Sequence, residues 1–166
     1  SSRRKMDGPC YKRHFVFGST YGNADADFFM INSRLWDADD LHIAKNNRSK
    51  KMTEDQMAWL ADELKNSKTL WKFVVAHEPL YSNGHHGRDN DILELRERLL
   101  PLLKEYKVDA YLSGHDHDLQ RIEVTGVSTL FLISGAAGHL RGQKFNDCGR
   151  FTHPPLVSCR CNFQPA

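Results

Sequence analysis

Apolar residues in this chain gather in short runs separated by polar, turn-prone stretches. Residues 12–17 (KRHFVF) and 27–32 (DFFMIN) are rich in aromatic and β-branched side chains, and GSTYGNAD between them has turn composition. The pair predicts a β-hairpin. In TEDQMAWLADELK, Thr53 and Gln56 stand at capping-box spacing, and Met57, Leu60, Ala61 and Leu64 fall at i, i+3, i+4 and i+7. That spacing predicts one face of an amphipathic helix starting near residue 53. WKFVVA at 71–76 reads as a buried strand that ends at His77 and Pro79. Ile92, Leu95, Leu99 and Leu102 predict a second helix, kinked or restarted at Pro101. VDAYLS at 108–113 is the next strand, and LQRIEV and STLFLIS, either side of a turn at Gly126, predict another hairpin. Beyond GAAG at 135–138 the pattern decays.

Two helices, each followed by an apolar strand, argue for a layered α/β arrangement. The length, 166 residues, suits one domain. A net charge of +2 is too small to imply a nucleic-acid or membrane partner. The basic clusters SSRRK and KNNRSKK read as solvated terminus and loop. No apolar run approaches the roughly 18 residues of a membrane span, and the opening residues lack a signal-peptide core. The chain begins with Ser1, so the expectation is that processing or truncation has removed what preceded it. Of the cysteines at 10, 148, 159 and 161, three crowd the last nineteen residues. They suit disulfides in a secreted protein, free thiols in a cytosolic one, or a small zinc module of Cys148, His153, Cys159 and Cys161.

The chemistry concentrates at two strand ends. Ligands in α/β sheets bind where loops leave the carboxyl ends of strands, and His77 and the pair His115 and His117 fall at such ends. If the two strands are parallel neighbours, three imidazoles converge on one rim, with ring nitrogens suited to zinc, iron or manganese. A turn after Gly114 would splay His115 and His117 toward two ions, an arrangement that clamps the attacking and leaving oxygens of a phosphoryl displacement. Asp116 between them reads as a hydrogen-bonding spacer. His14, His42, His139 and His153 read as surface or core histidines satisfied by hydrogen bonds.

FVVAHEPLYS, YLSGHDHDLQ and LFLISGAAG, in that order, resemble the C-terminal half of the calcineurin-like metallophosphoesterases, and most nearly the small, tartrate-resistant type of purple acid phosphatase. The resemblance implies part of a layered α/β/β/α sandwich, with residues 1–140 as the C-terminal portion of the domain and 141–166 as a tail of open role. It implies that His77 and His115 ligate one metal and His117 the other. His86 would contact the substrate phosphate and assist the leaving group, with His85 beside it. The cofactor implied is a pair of ions, iron with iron, zinc or manganese, and the substrate a phosphate monoester. The compartment implied is secreted, or lysosomal or vacuolar.

The family's other ligands come from motifs of the type D-x-[GH], G-D-x-x-Y and G-N-H-[DE], and none is in this chain. YGNADADF at 21–28 has Ala24 where histidine is wanted, so Asn23 is rejected as a ligand. GHHGRDND also lacks the cysteine that the family places in this loop. Completion by an N-terminal segment or a separate chain would give a metal-dependent phosphatase. Without it, the alternative is a noncatalytic scaffold that binds a protein partner.

Overall fold

The computed structural model describes residues 10–19, 22–36, 47–137 and 157–159. Strands β1 (Tyr11–Ser19), β2 (Gly22–Met30), β3 (Trp71–Val75), β4 (Ala110–Ser113), β5 (Leu119–Ile122), β6 (Leu130–Ser134) and β7 (Val157–Cys159) form one sheet in the order β1-β2-β3-β4-β6-β5-β7. Helices α1 (Asn47–Asn66) and α2 (Asn90–Glu105) supply the crossovers between the central parallel strands, and a 3₁₀ turn spans Ser33–Trp36. The sheet is parallel from β2 through β3 and β4 to β6, while β1 and β5 pair antiparallel with β2 and β6. The fold is therefore α/β, and β3 and β4 are parallel neighbours. A second sheet, as the sandwich expects, is not among the described residues.

Register explains the core. Phe29, Val74, Tyr111, Phe131 and Ile122 are partners across five successive strands, and each is at most 1% exposed. Because side chains alternate along a strand, this row lies on one face. It joins Leu60 and Leu64 of α1 and Leu95, Leu99 and Leu103 of α2 in a single buried cluster. On the other face, Met30, Val75, Leu112 and Leu132 form a parallel row that is only half-buried.

Several expectations need correction. The first hairpin forms, but Gly22 to Asp25 lie within β2 rather than in a turn. The strand's carboxylates explain why: Asp25 Oδ1 accepts the Leu70 N–H at 2.8 Å, and buried Asp27 accepts from Ser67 Oγ at 2.7 Å and pairs with His14 Nδ1 at 2.8 Å. These polar residues pin the strand to the α1–β3 connection.

Helix α1 begins at Asn47, so most of the basic stretch at 45–51 is helix and not loop. Thr53 and Gln56 are buried inside the helix instead of capping it. Gln56 Oε1 accepts the Asn32 N–H at 2.8 Å, and Gln56 Nε2 donates to the Asn32 carbonyl at 3.2 Å. That bidentate clasp ties the helix to the 3₁₀ turn. Helix α2 continues across Pro101, which is exposed, and its buried stripe ends on Leu103 with Leu102 only half-buried. Cys10 is a free thiol. His42, His139, His153, Cys148, Cys161 and the side chain of Cys159 lie outside the described residues, as does most of 141–166.

Candidate metal centre

The site sits where β3 and β4 end. Their parallel ladder runs past the strands: the Ala76 N–H donates to the Leu112 carbonyl at 3.0 Å, and the Gly114 N–H to the His77 carbonyl at 3.0 Å. Those bonds set the start of one loop against the start of the other. His115 Nδ1 and His77 Nε2 lie 3.2 Å apart. The His86 ring centroid lies 4.3 Å from that of His115, and the His85 ring packs edge-on to His86 at 5.0 Å. His86 Nδ1 pairs with Asp89 Oδ2 at 2.7 Å, which leaves Nε2 as the other nitrogen of the ring.

A turn follows Gly114, as the sequence suggests, but the residue that bends is His115. Gly114 is not in the left-handed region, and a Cβ there would make only ordinary contacts. His115 itself has φ 67°. The Asp116 N–H returns to the Gly114 carbonyl at 2.8 Å, and the Asp118 N–H to the Asp116 carbonyl at 2.8 Å. Each histidine is thus the centre of a three-residue turn, and the one at His115 is of the rare positive-φ kind. For a residue with a Cβ this conformation is strained by about 1–3 kcal/mol. Strain of this size persists where the surroundings fix it.

The surroundings are the alternate positions of the same segment. Asp116, Asp118 and Gln120 are all buried. Asp116 accepts a short hydrogen bond from Ser82 Oγ and the N–H of His86 at 3.3 Å. Gln120 accepts the Asn83 N–H at 2.9 Å and donates to Ser82 Oγ at 3.1 Å and Asp118 Oδ2 at 2.7 Å. The loop carrying His86 is therefore tied to the segment carrying His115. Behind it, Leu80 is fully buried and Tyr81 packs edge-on to Phe131 at 4.8 Å. Gly135 closes the back: a Cβ there would fall 1.9 Å from the Asp116 carbonyl oxygen.

Of the residues singled out from sequence, His77, His115, His86 and His85 come together. His117 is half-buried and belongs to neither of the ligand-atom groups found among the described residues, which are His77, Glu78 and His115, and His86, Asp89 and His115. Glu78, Asp89 and Gln120 were not expected to take part, while Asp116 fills the hydrogen-bonding role read for it. The alternation in HDHDLQ is the signal for Asp116 and Gln120.

The donor set suits a cation. Two nitrogens, each about 2.0–2.1 Å from one ion, lie roughly 2.9–3.4 Å apart in tetrahedral or octahedral geometry, and the His77–His115 separation of 3.2 Å falls within that span. Metal binding requires neutral imidazole. Burial, with repulsion from His86 and His77, holds His115 below its ordinary pKa, against the opposing pull of Glu78 and Asp116.

This fold and site define a phosphoesterase-type α/β domain, and the comparisons with known proteins agree. Residues 10–119 match the calcineurin-like phosphoesterase family, and the chain belongs to it. Among its relatives, purple acid phosphatase 17 of Arabidopsis thaliana is 52% identical over 73 residues, 44% of this chain and 21% of that protein. Human tartrate-resistant acid phosphatase type 5 is 30% identical over 149 residues, 87% of this chain and 44% of that protein. The chain thus spans less than half the length of these curated relatives. A solved structure described as GAP50, the anchor in the inner membrane complex of Plasmodium, superposes with a TM-score of 0.68 at 26% identity, covering 83% of this chain and 41% of that one.

Proposed function

We propose that the chain is part of a metal-dependent phosphatase acting on phosphate monoesters. The observation that carries this reading is the pair of imidazole nitrogens 3.2 Å apart at the ends of two parallel strands, with the His86 ring beside them. His77 and His115 would hold one ion and His117 a second, the remaining ligands coming from a segment or chain outside these residues. When bound, a pair of ions, iron with iron, zinc or manganese, supplies Lewis-acid neutralisation of phosphate charge. His86, oriented by Asp89 through Nδ1, presents Nε2 to the ester and gives a proton to the leaving oxygen. His85 adds a second imidazole next to the substrate. By likeness to its relatives, the protein would be secreted, or lysosomal or vacuolar; no described helix is long and apolar enough to cross a membrane. The test is hydrolysis of p-nitrophenyl phosphate by protein expressed from the full transcript, with loss in His115→Ala and His117→Ala. A folded sample inactive across acid and neutral pH with every candidate metal would sink it.

The likeness to the Plasmodium anchor favours a second reading, a noncatalytic scaffold that binds a protein partner. Elemental analysis separates the two, because a scaffold carries no stoichiometric iron, zinc or manganese.

A further inference from the structure

Glu78 follows His77 directly and is only 2% exposed. Its backbone is held on both sides: the N–H donates to Ser33 Oγ at 3.0 Å, and the carbonyl accepts Tyr111 Oη–H at 2.8 Å. Ser33 Oγ also accepts the His77 N–H at 3.0 Å and donates a short hydrogen bond to Glu78 Oε2. One carboxylate oxygen is therefore satisfied. The other, Oε1, is buried and makes no hydrogen bond among the described residues; Arg34 pairs with it at 3.8 Å from a side chain that is 44% exposed.

A buried carboxylate oxygen whose one partner is a long ion pair to a half-exposed arginine is only partly compensated for its lost hydration. Chains retain such a group where a cation completes it. Ligand atoms of His77, Glu78 and His115 all lie within 4.8 Å of one another. We propose that Glu78 is the third protein donor, through Oε1, to an ion held by His77 Nε2 and His115 Nδ1. Two imidazoles and one carboxylate form a set well suited to zinc, and this chain carries all three. Ser33 is then a positioning residue, since it fixes the backbone of both neighbouring donors and holds Glu78 Oε2, which leaves Oε1 for the ion. The inference rests on the metal-binding part of the phosphatase reading and adds a ligand to it.

The test is zinc affinity of the purified 166-residue chain, by competition with a chromophoric chelator, with circular dichroism to check folding. One equivalent of zinc is expected, and Glu78→Gln should weaken it at least about tenfold. In parallel, protein labelled with ¹³C at glutamate side-chain carboxyls should show one resonance that moves up to one equivalent of zinc and no further. That measurement needs no variant, so it holds if Glu78→Gln does not fold. Zinc bound equally well by folded Glu78→Gln, no moving glutamate resonance, or no binding at all overturns the proposal. Zinc binding that depends on Glu78, with protein from the full transcript inactive on p-nitrophenyl phosphate, would support the donor and sink the phosphatase reading; turnover by that protein with zinc indifferent to Glu78 would do the reverse.

Discussion

Gly84 lies so close to Asp116 that a Cβ at residue 84 would stand 2.5 Å from the carboxylate carbon. The contact joins the loop that bears His86 to the turn that bears His115. Gly84→Ala therefore forces either the loop outward or Asp116 off its bonds to Ser82 and His86. Overpacking of this kind destabilises by about 1–3 kcal/mol. The expected outcome is a lower urea midpoint with an unchanged slope, and faster modification of His86 by an imidazole-directed reagent. A variant as stable as wild type would show that the loop yields freely.

His115 should be the strained point of the site. A left-handed φ is unfavourable for any side chain with a Cβ and unhindered for glycine. His115→Gly is expected to be more stable than His115→Ala by about 1 kcal/mol, while both lose the imidazole. Chemical denaturation of the two variants at neutral pH measures the difference. The sign matters more than its size: a glycine variant less stable than alanine would mean that the turn is held open by something other than strain.

The site was legible in the sequence as far as spacing could carry it. His77 and His115 stand at the ends of apolar runs, and parallel strand ends bring their side chains to one rim. Glu78 and Asp89 were not, because nothing in HEPL marks a buried carboxylate, and nothing in GRDN marks one that pairs with a ring three residues back, before the 3₁₀ turn and α2 are placed. Gly135 illustrates the same limit. GAAG marks only where the pattern decays, yet its first glycine is required by the backbone carbonyl of Asp116, in the turns between β4 and β5.

Gln56 is expected to matter more than a helix-surface residue should. Both its side-chain atoms bond the backbone of Asn32, one residue before the turn that carries Ser33. Gln56→Leu keeps the volume and removes both bonds, leaving a half-buried peptide group unsatisfied. A loss of about 1–3 kcal/mol follows, read from the thermal midpoint. Since Ser33 fixes the backbone at His77 and Glu78, zinc affinity should fall as well, where an ordinary core defect would leave it alone.

The fold was most legible where periodicity was strong, in β3, α2, β4 and the β5–β6 hairpin. It misled at the starts of β2 and α1, for one reason: polar residues there are held by partners far along the chain. Asp25 and Asp27 reach the start of β3 and the end of α1, and Gln56 reaches the 3₁₀ turn. Local composition reports such residues as turn or cap. The placement of β6 next to β4, with β5 outside it, was equally out of reach, since a hairpin is self-consistent in either orientation against the sheet.

Acid should weaken the metal-free protein through His115. Burial is the chief cause of its lowered pKa, so the folded state binds this proton less readily than the unfolded chain, whose imidazole titrates at the ordinary value of 6.5. The unfolded state then holds more protons between the lowered folded pKa and that value, and stability rises with pH across this window. The contribution is fully present above 6.5 and is lost as pH falls through the folded pKa. Urea midpoints of metal-free protein at neutral and mildly acid pH should differ, and the difference should shrink in His115→Ala. Zinc requires the same neutral ring, so its affinity should fall over the same window, and a saturating ion should flatten the pH dependence of stability. If His115→Ala keeps the full acid sensitivity of wild type, the proton responsible binds elsewhere.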